Sequence, residues 1–477
     1  MDTAATFANF GHDLSYEKLP RRVVEITKKL ILDELGVMVV GSSSAGIDRL
    51  LALATNWGGK PEAGVLVHGV RMPAQHAALI NATMGRAYDF DALHEGSIVH
   101  ASAGSLPQCL ALAERRGRVS GRELITAMSL GMEFMIRLGL SFQESFLHTG
   151  RVTSVHHTTF GGALAGAKLL NLGPRAIVSA LGLAYTQIGG NLQNVIEGTA
   201  VAQLQQGFAA QTSVLSAVLA EAGVQGPERV FQGEYGYYKT YHDDKYWAEN
   251  LTRSLGEEFE VCDISIKYFP TCFLTHYAND AMIQMVASRK FAASDIAGIN
   301  VRVTKGVSKL VGTPIEAKRA PKNTQEALFS LPYTVAVAAV HGSVTLEHLT
   351  VEAINNAQVR ALAQKVTVVI DDELERKRGR ALGSSMVEVK LKNGAQFSQF
   401  SDIVKGHPTN PMSFADCEDK FWNCVRSSGN PLDKNKLERL VERVRKLETV
   451  EDVSELCTSL ECNVPRTKQE CPGMREA

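Results

Sequence analysis

The chain has 477 residues, 45% of them apolar and 21% charged, with a formal net charge of −1 and a sequence pI of about 6.9. This length exceeds one ordinary domain, and the apolar share is enough for a large buried core. The balanced charge offers no electrostatic footprint for nucleic acid or for an anionic membrane surface, so neither is an expected partner. Eight scattered cysteines form no C-x-x-C pair, which points to reduced thiols and an intracellular place, cytoplasm or organelle matrix. The first residues, Met1 to Phe7, lack the basic and apolar regions of a secretory signal, and no apolar run reaches bilayer-spanning length.

In chain order, residues 18–40 carry Val23, Ile26 and Leu30 with Val24, Ile31 and Leu35 at helical spacing, and Pro20 suits the first turn. The run Gly41 to Gly46 ends that helix. Helices are expected at 47–58 and 73–88, with a small strand within 64–69 between them. From 105 to 225 the pattern is almost wholly helical, at 107–117, 121–145, 158–171, 174–186 and 203–223. The small-residue run from Gly161 to Ala167 follows no strand, so it reads as close helix packing and not as a phosphate loop. The aromatic and polar segment 233–247 reads as a surface loop or a cleft wall.

The pattern changes near 262. Strands are expected at 299–303, 366–370 and 386–391, the last leading into an Asn393-Gly394 hairpin turn. Helices at 274–287, 324–340 and 350–364 lie between them. Helices at 413–426 and 433–447 are too few for a core of their own and should pack back on the first part. The expected fold is mainly α: a large all-helical domain from 1–262 plus 400–462, a smaller α+β lid domain at 263–399, and a loose tail at 463–477.

The stretch from Gly85 to Pro107 places Asp89, Asp91, His94, Glu95 and His100 close together between two apolar runs. Carboxylates and imidazoles at such spacing shift one another's pKa, as proton transfer requires. The alternative is a helix corner whose polar groups cap two helix ends. Glu95 is expected to face solvent. His156 and His157 are adjacent, so on a helix their side chains point apart, and no third residue sits at ligand spacing; no metal is predicted.

Several segments, in order, resemble the MmgE/PrpD family. They are Leu32 to Val37, the Asp89-Phe90-Asp91 motif with His100, Gly161 to Leu170, Ile266 to Cys272, Phe329 to Ala336, and Gly406-His407-Pro408. The resemblance runs from about 15 to 450. It implies a helical domain with an α+β lid, an active site between them, a homodimer, and no cofactor. It also implies proton transfer at carbon next to a carboxylate of a small carboxylic acid, the substrate. Residue by residue, it places Asp89, His100, Lys267 and Tyr333 in catalysis. His100 would be acid or base, Asp89 its tuning partner or a proton carrier, Lys267 a point charge for a substrate carboxylate, and Tyr333 a proton or hydrogen-bond donor. Asp91, His94, Gln203, Gln206, His276 and His156 are substrate-binding candidates.

The sequence departs from the family in two places. Many relatives carry an active-site His before the Gly-Ala-rich helix; alignment without gaps puts Val152 there, and His156 fits only with a shortened loop. Relatives also carry Lys, His and Arg where this chain has Ala202, Gln206 and Gln211. Each lost charge-assisted bond would weaken carboxylate binding by about 1.5–3 kcal/mol, which favours fewer carboxylates or a larger apolar tail. The expected activity is a lyase: dehydration of a 2-alkylcitrate-like acid first, decarboxylation of an aconitate-like acid second. An isomerase with His100 and Tyr333 on opposite faces of one carbon is the alternative, and a scaffold without catalysis the third.

Overall fold

The computed structural model describes residues 2–143, 149–199, 201–377 and 383–462, apart from the side chains of 201 and 202. The expected tail at 463–477 lies outside the described residues. Helices of seven residues or more are labelled in chain order; shorter turns are named by residue.

Two apolar cores divide the chain. The first gathers α1 (Thr3–Asp13), α2 (Arg21–Gly41), α3 (Ile47–Trp57), α4 (Ala74–Gly85), α5 (Leu106–Arg116), α6 (Gly121–Leu140), α7 (Thr153–Leu169), α8 (Pro174–Tyr185) and α9 (Val201–Glu221). A small antiparallel hairpin, β1 (Ala63–Val65) with β2 (Val70–Met72), sits against α4 and α5. Local chemistry starts several of these helices. Asp2 accepts from the Ala4 N–H to open α1, and Ser120 with Glu123 forms a capping box on α6. The small-residue run on α7 does what its pattern implies. A Cβ on Gly161 would stand 2.6 Å from the Gly131 carbonyl of α6, so only glycine lets the two helices approach.

The second core lies under a four-stranded sheet of order β4-β3-β5-β6. Its strands are β3 (Ile296–Val303), β4 (Val366–Ile370), β5 (Ser385–Leu391) and β6 (Gln396–Ser401). β3 runs parallel to β4 and antiparallel to β5, with Val301 opposite Val368 and Val387. Alternation sets the faces: Ile299, Val301 and Val303 point into the core, while Asn300 and Arg302 point out toward Glu388. Helices α10 (Phe273–Arg289), α11 (Leu331–His341) and α12 (Ala357–Ala363) contribute to this core. The chain then returns to the first core. Phe421 and Cys417 on α13 (Phe414–Ser428), and Leu437 and Leu440 on α14 (Lys434–Arg445), join it, and both helices pack on α2.

Several elements differ from the sequence expectation; the helix expected at 350–364, for one, is two, Val351–Ile354 and α12, separated where Asn356 caps α12. The helix expected at 324–340 is two, because Ser330 interrupts it and caps α11 by accepting from the Tyr333 N–H, with Pro332 in the first turn. The segment 233–247 is no surface loop in its middle: Tyr237 and Tyr238 are fully buried in a short helix, Tyr237–His242, against Phe160 and Phe231. α7 starts at Thr153, five residues before the first strongly apolar turn announces it. The described cysteines are free thiols. No helix among the described residues is long and apolar enough to cross a membrane.

Candidate active site

A cavity of about 140 Å³ lies between the two cores. Its floor comes from the loop after α4 and from the start of the lid segment: Arg86, Asp89, His100 and Lys267. Gln203 and Gln205 of α9, Thr153 and Ser154 of α7 and Gln325 add neutral polar groups. The remaining lining is mostly apolar, with Ile98, Val152, Leu192 and Val195 from the first part of the chain and Leu274 and Leu310 from the lid.

The floor is one charge network. Lys267 is fully buried and its Nζ lies 2.9 Å from Asp89 Oδ2 and 2.5 Å from the Asp89 carbonyl. Asp89 takes φ +47°, a left-handed conformation that aspartate tolerates better than most residues. Arg86 Nη1 is 2.8 Å from Asp89 Oδ1 and also binds Asp91 Oδ1. Asp91 is completely buried, and its Oδ2 is 2.8 Å from His100 Nδ1. Burial alone would push both carboxyls up. For Asp89, Lys267 and Arg86 outweigh that cost, and for Asp91, Arg86 and His100 do, so both carboxyls are held below the usual range.

His100 is the one group here poised to change charge. Burial lowers its pKa, Arg86 at 3.0 Å from Nδ1 lowers it further, and Asp91 opposes both; the net shift is downward. With an ionised carboxylate at 2.8 Å, Nδ1 carries the proton and Asp91 accepts it. Nε2 is then the unprotonated nitrogen, and Asp91 also supports the imidazolium when Nε2 takes a proton. The arrangement can therefore move a proton at a carbon held beside Arg86 and Lys267. The ligand atoms of Asp89, Asp91 and His100 come within 4.8 Å of one another, a spacing that also suits a metal ion. Arg86 and Lys267 already hold those oxygens with fixed positive charge, which disfavours a cation in the same place.

The sequence candidates separate clearly. Asp89, His100, Lys267 and Gln203 line the cavity, and Asp91 stands behind His100. Tyr333 does not line it: its side chain is buried in the lid core and its hydroxyl donates to the His348 carbonyl at 2.6 Å. Burial pushes its phenol up to about 12. His276 is buried beside Phe269 and Phe273, bonded to the Thr271 carbonyl, with its pKa lowered to about 3 by burial. His156 is held by the Tyr237 hydroxyl and sits among rings; Val152 occupies the wall, as the gapless alignment has it. His94 accepts from the Ser97 N–H and lies next to its hydroxyl, closing its own turn. Gln206 donates to Thr158 away from the cavity, and Gln203 gives its amide to the Ala87 carbonyl. Glu95, expected in solvent, is instead buried, accepting from Ser265 and Tyr277.

Sequence reasoning missed Arg86, Asp33, Glu34 and Lys420. Lys420 of α13 pairs with Asp33 of α2 at 2.6 Å and donates to the Phe90 and Lys267 carbonyls, tying both sides of the floor together. Its position on the apolar stripe of Cys417, Phe421 and Cys424 was a usable signal, since a lone cation on a buried face must find a partner. Glu34 accepts from Ser102; burial, then Asp91 and Asp33, raise its pKa.

The MmgE/PrpD N-terminal domain family matches residues 5–250, and the MmgE/PrpD C-terminal domain family matches residues 269–446. A cis-aconitate decarboxylase-like protein, oryM, of Aspergillus oryzae is 28% identical over 95% of this chain and 96% of its own length. The cis-aconitate decarboxylase of Homo sapiens is 28% identical over 95% of this chain and 94% of its own, and that of Aspergillus terreus 25% identical over 96% and 95%. With both of its halves matched in order around the Asp89–Lys267 floor, the chain belongs to the MmgE/PrpD family.

Proposed function

We propose that this lyase decarboxylates a small, aconitate-like β,γ-unsaturated carboxylic acid, with His100 delivering the proton and no cofactor taking part. The observation that carries the reading is the buried His100–Asp91 pair opening on a cavity whose floor also holds Arg86 and Lys267. Relatives named as cis-aconitate decarboxylases, similar over nearly the whole chain, support it. In such a reaction one C–C bond breaks and carbon dioxide leaves. The electron pair forms a new double bond, and the old double bond takes up one proton at its far carbon. Arg86 and Lys267 would hold a carboxylate that stays on the product and would stabilise the charge that spreads toward it. His100, protonated at Nε2 and supported by Asp91, would supply the proton.

Dehydration of a 2-hydroxy acid is the second reading. It is favoured by the lowered pKa of His100, which makes the resting imidazole a base. The two readings predict opposite pH limbs. As a proton donor to carbon, His100 gives kcat/KM that falls as pH rises through its pKa, below the free value of 6.5. As a base it gives kcat/KM that rises through the same point. The direct test is incubation with unsaturated acids in deuterated water. Carbon dioxide release with one deuterium fixed in the product supports decarboxylation. New ultraviolet absorption from a 2-hydroxy acid, without gas, supports dehydration. The isomerase alternative loses its second group, since Tyr333 lies in the lid core.

A further inference from the structure

The cavity has a charged floor, yet its charges are already balanced. Its two lining cations, Arg86 and Lys267, both lean on Asp89, and Arg86 also holds Asp91. Arg86, Lys267, Asp89 and Asp91 sum to zero, so the floor can share its donors with one carboxylate and has little attraction left for others. The neighbouring cation, Arg151, lays its guanidinium over the Tyr241 ring at 5.5 Å instead of lining the cavity. The neutral amides are engaged too: Gln203 and Gln325 both donate to the Ala87 carbonyl, at 2.8 and 3.0 Å, and Gln205 bridges both backbone groups of Asn191.

The rest of the lining is largely aliphatic: Ile98, Val152, Leu192 and Val195, with Leu274 and Leu310 from the lid. A carboxylate laid on those aliphatic side chains gives up hydration and, among the described residues, finds only the neutral Thr153 and Ser154 hydroxyls nearby and no cation, so its desolvation is poorly compensated. An alkyl group on the same wall leaves water and fills apolar space. We propose that the substrate is an acid with at most two carboxylates, one held on Arg86 and Lys267, and an alkyl substituent seated on the Val152 wall. The inference rests on the lyase reading only for the identity of the reacting acid; the choice between alkyl and carboxylate belongs to the cavity itself.

The test uses saturated acids, which bind but have no double bond through which to lose carbon dioxide. Calorimetric titration of the full-length protein with methyl-, ethyl- and butylsuccinate should show affinity rising about fourfold per added methylene until the wall is filled. Butylsuccinate should bind at least about tenfold more tightly than propane tricarboxylate. Val152→Lys, which places a cation on the wall, should reverse that preference while the thermal unfolding midpoint shows the protein folded. Equal or tighter binding of the tricarboxylate by the wild-type protein overturns the proposal, as does an affinity that ignores alkyl length or the absence of binding by any of these acids. Gas release from an unsaturated tricarboxylate bound more tightly than its alkyl analogue would leave the lyase reading standing and remove this one.

Discussion

His100, part-buried, and His156, fully buried, are both imidazoles near the helices that frame the cavity, and they stand in opposite electrostatic settings. His100 faces the Asp91 carboxylate at 2.8 Å, with Arg86 and Lys267 completing a balanced network. His156 faces the Tyr237 hydroxyl and the rings of Tyr237 and Tyr241, and its nearest charged neighbours are His242 and Arg151. Burial lowers both. Only His100 has a carboxylate to pull it back, and His156 falls to about 3 and stays neutral at any ordinary pH. Crowding of titratable residues therefore does not mark a reactive site; an opposite charge within hydrogen-bond reach of an open cavity does.

The largest effect should come from breaking the carboxylate-paired member of the two, His100. His100→Ala should lower kcat by roughly a hundred- to ten-thousand-fold with the unfolding midpoint little changed, the range expected for a lost general acid or base. His156→Phe, which keeps ring packing, should stay within a few-fold of wild type in the same assay. Equal losses from both variants would erase the distinction.

The next effect concerns what holds the charged floor in place. Lys420 is buried and joins Asp33 to the carbonyls of Phe90 and Lys267. Lys420→Met leaves Asp33 buried without its cation, which should cost about 3–5 kcal/mol in denaturant unfolding. The double variant with Asp33→Leu should recover much of that loss, since both charges are then gone. Activity should not recover with it, because the Lys420 donors to the two floor carbonyls are still missing. Full recovery of both would make Lys420 a packing residue only.

How much of this was legible beforehand depends on the kind of signal. Helical periodicity marked α2, α4 and the run from α5 to α9, because a buried face repeats in sequence whatever it packs against. The strands and the Asn393-Gly394 turn were equally local signals. Asp89, His100 and Lys267 could be named from motif resemblance, and they do meet at one cavity. Tyr333 shows the limit. Its motif is intact, but which way a residue on an apolar helix faces is set by the elements the helix packs on, here chiefly α10 and α12. Lys420 was missed for a related reason: its importance comes from partners distant in sequence, Asp33 and the Phe90 and Lys267 carbonyls. Arg86 was legible, since its partners Asp89 and Asp91 lie within five residues of it. The buried Tyr237 and Tyr238 misled because aromatic residues next to polar ones fit a cleft wall and a core equally well.

A smaller effect separates the two histidine settings by acid titration of stability. His156 and His276 are lowered to about 3 and His94 to about 4, each mainly by burial. A histidine whose folded pKa is depressed binds fewer protons in the folded chain than in the unfolded one. Its contribution is thus fully present above the unfolded value of about 6.5 and lost as pH falls toward the folded value, at up to about 1.4 kcal/mol per pH unit. Asp33 and Glu34, raised by burial, act in the opposite sense, so the comparison must be between variants. Unfolding free energies of wild type and His156→Phe, measured from pH 6.5 down to 4.5, should diverge, with the variant showing the flatter slope. Parallel slopes would mean that His156 reaches water in the folded protein.

The smallest expected effect tests where the lid keeps its polar groups. Tyr333→Phe removes one hydroxyl that donates to the His348 carbonyl inside a core of apolar side chains. The loss should be about 0.5–1.5 kcal/mol of stability, the net worth of one hydrogen bond. kcat and KM should both stay within about twofold, since this hydroxyl is bonded in the lid interior and the proposed proton donor is His100. A selective fall in kcat with unchanged stability would instead put the hydroxyl at the reacting carbon. That would require α11 to rotate its Tyr333 face from the lid core to the cavity, breaking the Ser330 cap that now fixes its first turn.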